Sequence, residues 1–144
     1  MKNYCETIES SVLGRSVSVR FIVPEGENLP CLFLLHGYGG DHDQWCNKSH
    51  IAQLAEKHGF VVVAPACGDG FYEDTREDMP RFLGEELVAY VRQILPVSDA
   101  REHTYIAGVS MGGFGAVLPL HCQTIIYNIL YSPGLGVSIR LTSL

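Results

Sequence analysis

Ser110 stands inside a Gly-x-Ser-x-Gly sequence (Gly108, Ser110, Gly112), with an apolar run, TYIAGV, before it and two more glycines, Gly113 and Gly115, after it. A serine framed in this way reads as a nucleophile elbow, a sharp strand-to-helix turn that holds the hydroxyl clear of the sheet. The glycines follow from the geometry, because so tight a turn leaves no room for a Cβ at 108 or 112. The backbone N–H of Met111, at the helix start, is then free to bind an oxyanion. By residue frequency alone a Gly-x-Ser-x-Gly arises in roughly one chain in twenty of this length. The flanking strand and helix are what lift it above a glycine-rich loop with an ordinary exposed serine.

A second glycine-rich stretch, His36-Gly37-Tyr38-Gly39-Gly40, leaves an apolar run, CLFLL. At the C-terminal end of a parallel strand such a loop turns backbone N–H groups into a binding crevice, which acyl transfer needs as its second oxyanion donor. Taken alone it is a simple turn; beside a serine elbow it has a chemical use.

The remaining reactive residues form no such group. Cys5, Cys31, Cys46, Cys67 and Cys122 contain no Cys-x-x-Cys, and the six histidines no His-Glu-x-x-His, so reduced thiols are expected and neither a metal nor a cofactor. A formal net charge of −6 argues against nucleic acid and anionic membrane surfaces as partners. No apolar run approaches the ~20 residues of a membrane span. The N-terminus, MKNYCETIES, lacks the apolar core of a secretory signal, and the expected compartment is the cytoplasm.

The elements that must position these residues follow from periodicity. Tyr4 to Leu13 and Ser16 to Val23 read as strands of a hairpin turning at Leu13-Gly14-Arg15, with Val17, Val19, Phe21 and Val23 on one face. Cys31 to Leu35 and Phe60 to Ala64 (FVVVA, ended by Pro65) are apolar throughout, as strands buried on both faces are. Asn47 to His58 carries Ile51, Leu54, Ala55 and His58 at helical spacing, with Gly59 placed to cap it. Ala66 to Asp78 is a loop whose charges read as solvated. Pro80 opens a helix to Leu95 with Leu83, Leu87, Val91 and Ile94 inward. Alternating strands and helices imply an α/β domain, a mostly parallel sheet with helices on both faces.

Residues 31–115 resemble the α/β-hydrolase esterases of the esterase D and tributyrin esterase family. The matching segments are LLHGYGGDHDQW (34–45), VVVAPACGDGFYEDT (61–75), GEELVAYV (84–91) and IAGVSMGGFGA (106–116), in the family's order and spacing. The resemblance implies hydrolysis of short acyl esters through an acyl-enzyme on Ser110, a small-molecule ester as partner, and Tyr38 and Met111 as the two oxyanion donors. Trp45 matches a residue near the acyl pocket, against which stands an ordinary core-packing tryptophan. An S-formylglutathione hydrolase-like thioesterase is a further reading the family allows.

The departure from the family lies after the elbow. In this fold the triad runs Ser, then Asp or Glu, then His. After Ser110 there is no Asp or Glu, and the one histidine is His121, while His103 precedes the elbow strand. Arg140 is the one charged residue beyond Gly108, in a chain with 10 basic and 16 acidic residues. Residues 1–144 therefore read as a single α/β-hydrolase domain lacking the C-terminal strands and helices, with 116–144 an atypical tail. The tail is either the product of a shifted reading frame near Val117 or a last strand, Ile125 to Tyr131. As an uncharged open edge, IIYNILY would favour self-association. Function divides accordingly between an impaired serine esterase and a non-catalytic remnant.

Overall fold

The computed structural model describes residues 1–116, 127–132 and 136–140. Seven strands form one sheet in the order β1-β2-β4-β3-β5-β6-β7. They are β1 (Lys2–Ser10), β2 (Arg15–Val23), β3 (Cys31–Leu35), β4 (Val61–Pro65), β5 (Thr104–Val109), β6 (Tyr127–Ser132) and β7 (Gly136–Arg140). The central four, β4-β3-β5-β6, run parallel; β1 and β2 at one end and β7 at the other are antiparallel to their neighbours.

Side-chain alternation sorts the strand residues onto two faces. Phe21, Val63, Phe33 and Ile106 lie in register across β2, β4, β3 and β5, and all belong to the larger core. That core is closed by Met79, Phe82, Leu83, Leu87, Val88 and Val91. Their one-above-the-other spacing forms the inner stripe of α3 (Met79–Arg81), a π-helical turn (Phe82–Glu86) and α4 (Leu87–Ile94). Ile22, Val62, Leu34 and Ala107 point to the opposite face and meet Ile51 and Ala55. These belong to α2 (Ile51–His58), which follows α1 (Gln44–Lys48). Helices thus cover both faces. The fold is that of an α/β hydrolase.

Several expectations are corrected. The single helix expected over 47–58 is two, because Ser49 is extended (φ −149°, ψ 173°) and its Oγ donates to the Trp45 carbonyl, closing α1 early. Gly59 does cap α2, at φ 67° with its N–H donated to the Ala55 carbonyl. The helix expected at 80–95 begins at Met79, where Asp78 accepts the Arg81 N–H, and Ile94, expected inward, is 41% exposed. Pro65 is the last residue of β4 rather than its terminator, and lies opposite Val19. The largest correction concerns the expected open edge: β6 is interior, paired with β5 on one side and with β7 on the other from Asn128↔Arg140 to Ser132↔Gly136. Its ladder groups are therefore taken on both sides. Val117, His121, Cys122, Ile125 and Ile126 lie outside the described residues.

Candidate active site

The parallel register Leu35↔Gly108 ends β3 and β5 at the same level, so the His36–Gly40 loop and the elbow leave the sheet side by side. The contact is close. A Cβ on Gly112 would lie 2.4 Å from the Leu35 carbonyl oxygen and 2.6 Å from that of His36, and one on Gly108 would lie 2.1 Å from the Gly112 carbonyl oxygen. Glycine at both positions is what lets α5 (Met111–Gly115) begin directly against the end of β3. Ser110 is exposed, with φ 53° and ψ −114°, a conformation unfavourable for a residue with a Cβ. Among the described residues its hydroxyl has no hydrogen-bonding partner.

The glycine loop has one uncommitted donor. Gly37 N–H donates to Gln44 Oε1 at 2.7 Å, Gly39 N–H to Asp69 Oδ1 at 2.8 Å, and Gly40 N–H to the Gly37 carbonyl at 3.0 Å. Among the described residues the Tyr38 N–H meets no acceptor, and its side chain is 68% exposed. Met111 N–H belongs to the first turn of α5, where helical N–H groups have no intrahelical acceptor. The structure thus brings Ser110, Met111 and the Tyr38 loop to one edge of the sheet. The parallel register places both backbone donors on the sheet edge from which Ser110 emerges.

His36 is buried and structural. Its Nδ1–H donates to the Gly37 carbonyl at 2.8 Å and its Nε2 accepts the Cys67 N–H at 3.0 Å, which fixes the Nδ1-protonated tautomer. The Tyr72 hydroxyl donates to the His36 carbonyl at 2.8 Å, and burial pushes this phenol far above its ordinary range, so it stays a donor. The Tyr72 ring fills the space where a Gly115 Cβ would sit, 2.4 Å away.

The 66–78 loop keeps Asp69, Glu73, Asp74 and Arg76 exposed, as expected, but its Phe71 and Tyr72 also reach Phe114 and the His36 carbonyl. Phe71 and Tyr72 are both left-handed, at φ 56° and 60°. This consecutive pair sends Tyr72 inward and Phe71 outward. Phe71 (46% exposed) stands between Tyr38 and Phe114 (44% exposed), with ring centroids 6.2 and 6.4 Å apart. Beyond this arc, Tyr38, Asp69, Phe71, Arg76 and the Arg15–Glu77 ion pair line an open cleft of about 660 Å³. Gln44, Asp69, Phe71 and Tyr72 were not singled out by sequence; the left-handed pair has no glycine to announce it.

Trp45 packs against the smaller core and donates its Nε1–H to the Leu35 carbonyl at 3.0 Å. His103 sits before β5, at the opposite end of the sheet from Ser110, with Nδ1 3.0 Å from Ser98 Oγ. Among the described residues no group of three His, Cys, Asp or Glu could hold a metal ion, and no helix is long and apolar enough to cross a membrane.

Residues 10–122 match the Esterase family. An acetyl esterase of Caldicellulosiruptor saccharolyticus is 36% identical over 96 residues, which are 65% of this chain and 36% of that protein. The S-formylglutathione hydrolase of Mus musculus is 29% identical over 143 residues, covering 78% of this chain and 50% of that one. Among solved structures, the fluorophosphonate-binding serine hydrolase FphF of Staphylococcus aureus superposes with a TM-score of 0.80 at 25% identity, over 88% of this chain and 55% of that one. The chain thus spans about half the length, or less, of these curated relatives. The family match over most of the chain, on an α/β-hydrolase sheet with its elbow in place, means that this protein belongs to the Esterase family.

Proposed function

We propose that the chain carries the nucleophile and oxyanion hole of a serine carboxylic ester hydrolase acting on short acyl esters. The observation that carries this is the presentation of Ser110: exposed, held at φ 53°, beside a loop whose Tyr38 N–H alone is uncommitted. In this reading Ser110 Oγ attacks the ester carbonyl, and the oxygen that gains charge accepts the N–H groups of Tyr38 and Met111. The C–O bond to the alcohol then breaks, leaving an acyl-serine that water hydrolyses. The arc of Tyr38, Phe71 and Phe114 offers the apolar surface for the group beside the carbonyl, and the polar cleft beyond it accommodates the alcohol side. No cofactor enters this chemistry.

Among the described residues no histidine reaches Ser110, and beyond it the sequence holds His121 and no carboxylate side chain. Residues 1–144 assayed by themselves are therefore expected to pass the serine proton to solvent and to turn over slowly. Serine hydrolases stripped of triad members retain ~10³–10⁴-fold catalysis over water from the oxyanion hole and binding. The test is p-nitrophenyl acetate turnover by this chain and by Ser110→Ala. Slow turnover abolished by the substitution supports the reading; robust turnover surviving it overturns it, and none in either protein favours a non-catalytic remnant. The mouse relative also motivates a thioester assay with S-formylglutathione, where a rate above that for p-nitrophenyl acetate would shift the substrate class.

A further inference from the structure

The loop that carries Tyr38 is held from two sides by side chains of different elements. Gln44, the first residue of α1, takes the Gly37 N–H, and Asp69, thirty residues from its partner, takes the Gly39 N–H. We infer that Gln44 and Asp69 are positioning residues of the oxyanion hole, clamping the loop on either side of Tyr38 so that its N–H is the one presented to the reacting oxygen. This rests on the reading of Tyr38 as an oxyanion donor.

The fit of Gln44 is specific. Its carboxamide occupies the space a Cβ on Gly40 would need, 2.7 Å from Oε1 and 2.8 Å from Cδ. Gly40 is thus glycine to admit Gln44. Gly39 is left-handed at φ 72°, a Cβ there would meet nothing within 4 Å, and its N–H is held by the solvent-exposed bond to Asp69. A segment with three glycines among four residues otherwise samples many conformations. A donor must sit ~3 Å from the developing oxyanion before the reaction begins, and a misplacement of about 1 Å can lower a rate by about 10²-fold. Two side-chain acceptors flanking one free N–H remove that freedom. The Gly40-to-Gly37 turn bond takes the fourth donor, so no other N–H of Gly37 to Gly40 competes for the oxygen.

The test uses this chain and a fluorophosphonate ester. Ser110 Oγ forms a bond to phosphorus, the P–F bond breaks, fluoride leaves, and the serine proton passes to water. Intact mass against time and probe concentration separates the maximal rate from the half-saturating concentration. Gln44→Met, of similar length without an amide acceptor, and Asp69→Ala are expected to lower the maximal rate about tenfold or more, with half-saturation changed less than about twofold. Asp69→Asn, which keeps a side-chain oxygen, restores most of it. An unchanged maximal rate in both acceptor-less variants overturns the inference. Amide exchange by two-dimensional NMR decides independently of Ser110 chemistry. In the parent, the Gly37 and Gly39 amides are protected and that of Tyr38 exchanges freely. Gln44→Met releases Gly37 and Asp69→Ala releases Gly39, while the amides of β3 and β5 keep their protection. A parent that exchanges all three alike, or variants that release neither glycine, overturns the inference whether or not Ser110 is labelled. A parent never labelled at Ser110 but showing the expected exchange pattern counts against the esterase reading alone.

Discussion

The Tyr72 hydroxyl donates a 2.8 Å hydrogen bond to the main-chain carbonyl of His36, joining the loop after β4 to the strand end that faces the elbow. The same ring packs where Gly115 lacks a side chain, so one residue touches both segments that flank Ser110. Tyr72 does this from a left-handed backbone, next to Phe71 in the same conformation. Two such residues together cost about 2–6 kcal/mol, a strain tolerated where the surrounding structure over-determines it.

Tyr72→Phe is the direct probe of that bond. It keeps the ring and removes the donor, leaving a buried carbonyl without that partner. The loss expected is about 1–3 kcal/mol, read as a lower urea midpoint with an unchanged slope.

The central strands were legible because Cys31–Leu35 and Val61–Ala64 are apolar at every position, which few other structures permit. The elbow was legible because its glycines answer a steric demand, now visible as the approach of Gly112 to Leu35 and His36. What stayed hidden depends on contacts distant in sequence. Nothing near Asp69 indicates that it binds Gly39, and nothing near Phe71 indicates a φ of 56°. The pairing of β7 onto β6 was missed because Gly136–Arg140 is a short run, and a short run does not say which neighbour it pairs with.

Alanine at two glycines should give very different results. At Gly112 the new Cβ meets backbone oxygens that cannot move aside, and a loss above about 4 kcal/mol or failure to fold is expected. At Gly39 the Cβ enters open space and only the left-handed backbone (φ 72°) is penalised, by about 1–2 kcal/mol. Chemical denaturation of both variants checks the order.

Thiol accessibility should follow burial. Cys5 is exposed and Cys46 half-buried, whereas Cys31 and Cys67 are buried, and burial pushes both thiols well above their ordinary range. Titration with an aromatic disulfide reagent is expected to modify Cys5 first and Cys46 more slowly. Cys31 and Cys67 should react only at the rate of unfolding. Fast reaction of Cys67 in the native protein would show that the loop after β4 opens.

Acid should weaken the Arg15–Glu77 pair. The hydrogen bond from Arg15 holds the Glu77 carboxyl below its usual range. A carboxyl lowered on folding stabilises the native state above its unfolded pKa, and the contribution disappears as pH falls through the lowered value. Both side chains are about one-third exposed, so the contribution stays below about 1 kcal/mol. Glu77→Gln should be less stable than the parent at pH 7, with the difference closing in acid, below the usual carboxylate range, in urea titrations at each pH.

The backbone at Ser110 permits a test that separates strain from chemistry. At an ordinary position glycine is about 0.5–1 kcal/mol less stabilising than alanine, because it loses more chain entropy on folding. At φ 53° and ψ −114° the order should invert, since a Cβ is what makes this conformation unfavourable. Ser110→Ala keeps the Cβ and should melt close to the parent, for the hydroxyl has no partner among the described residues to lose. Ser110→Gly should then exceed Ser110→Ala in stability by about 1 kcal/mol, while neither is labelled by a fluorophosphonate. Denaturation of the three proteins side by side checks the order. If the alanine variant is the more stable of the two, the turn holds no strain at Ser110, and the exposed hydroxyl is a consequence of an ordinary loop rather than of a constrained elbow.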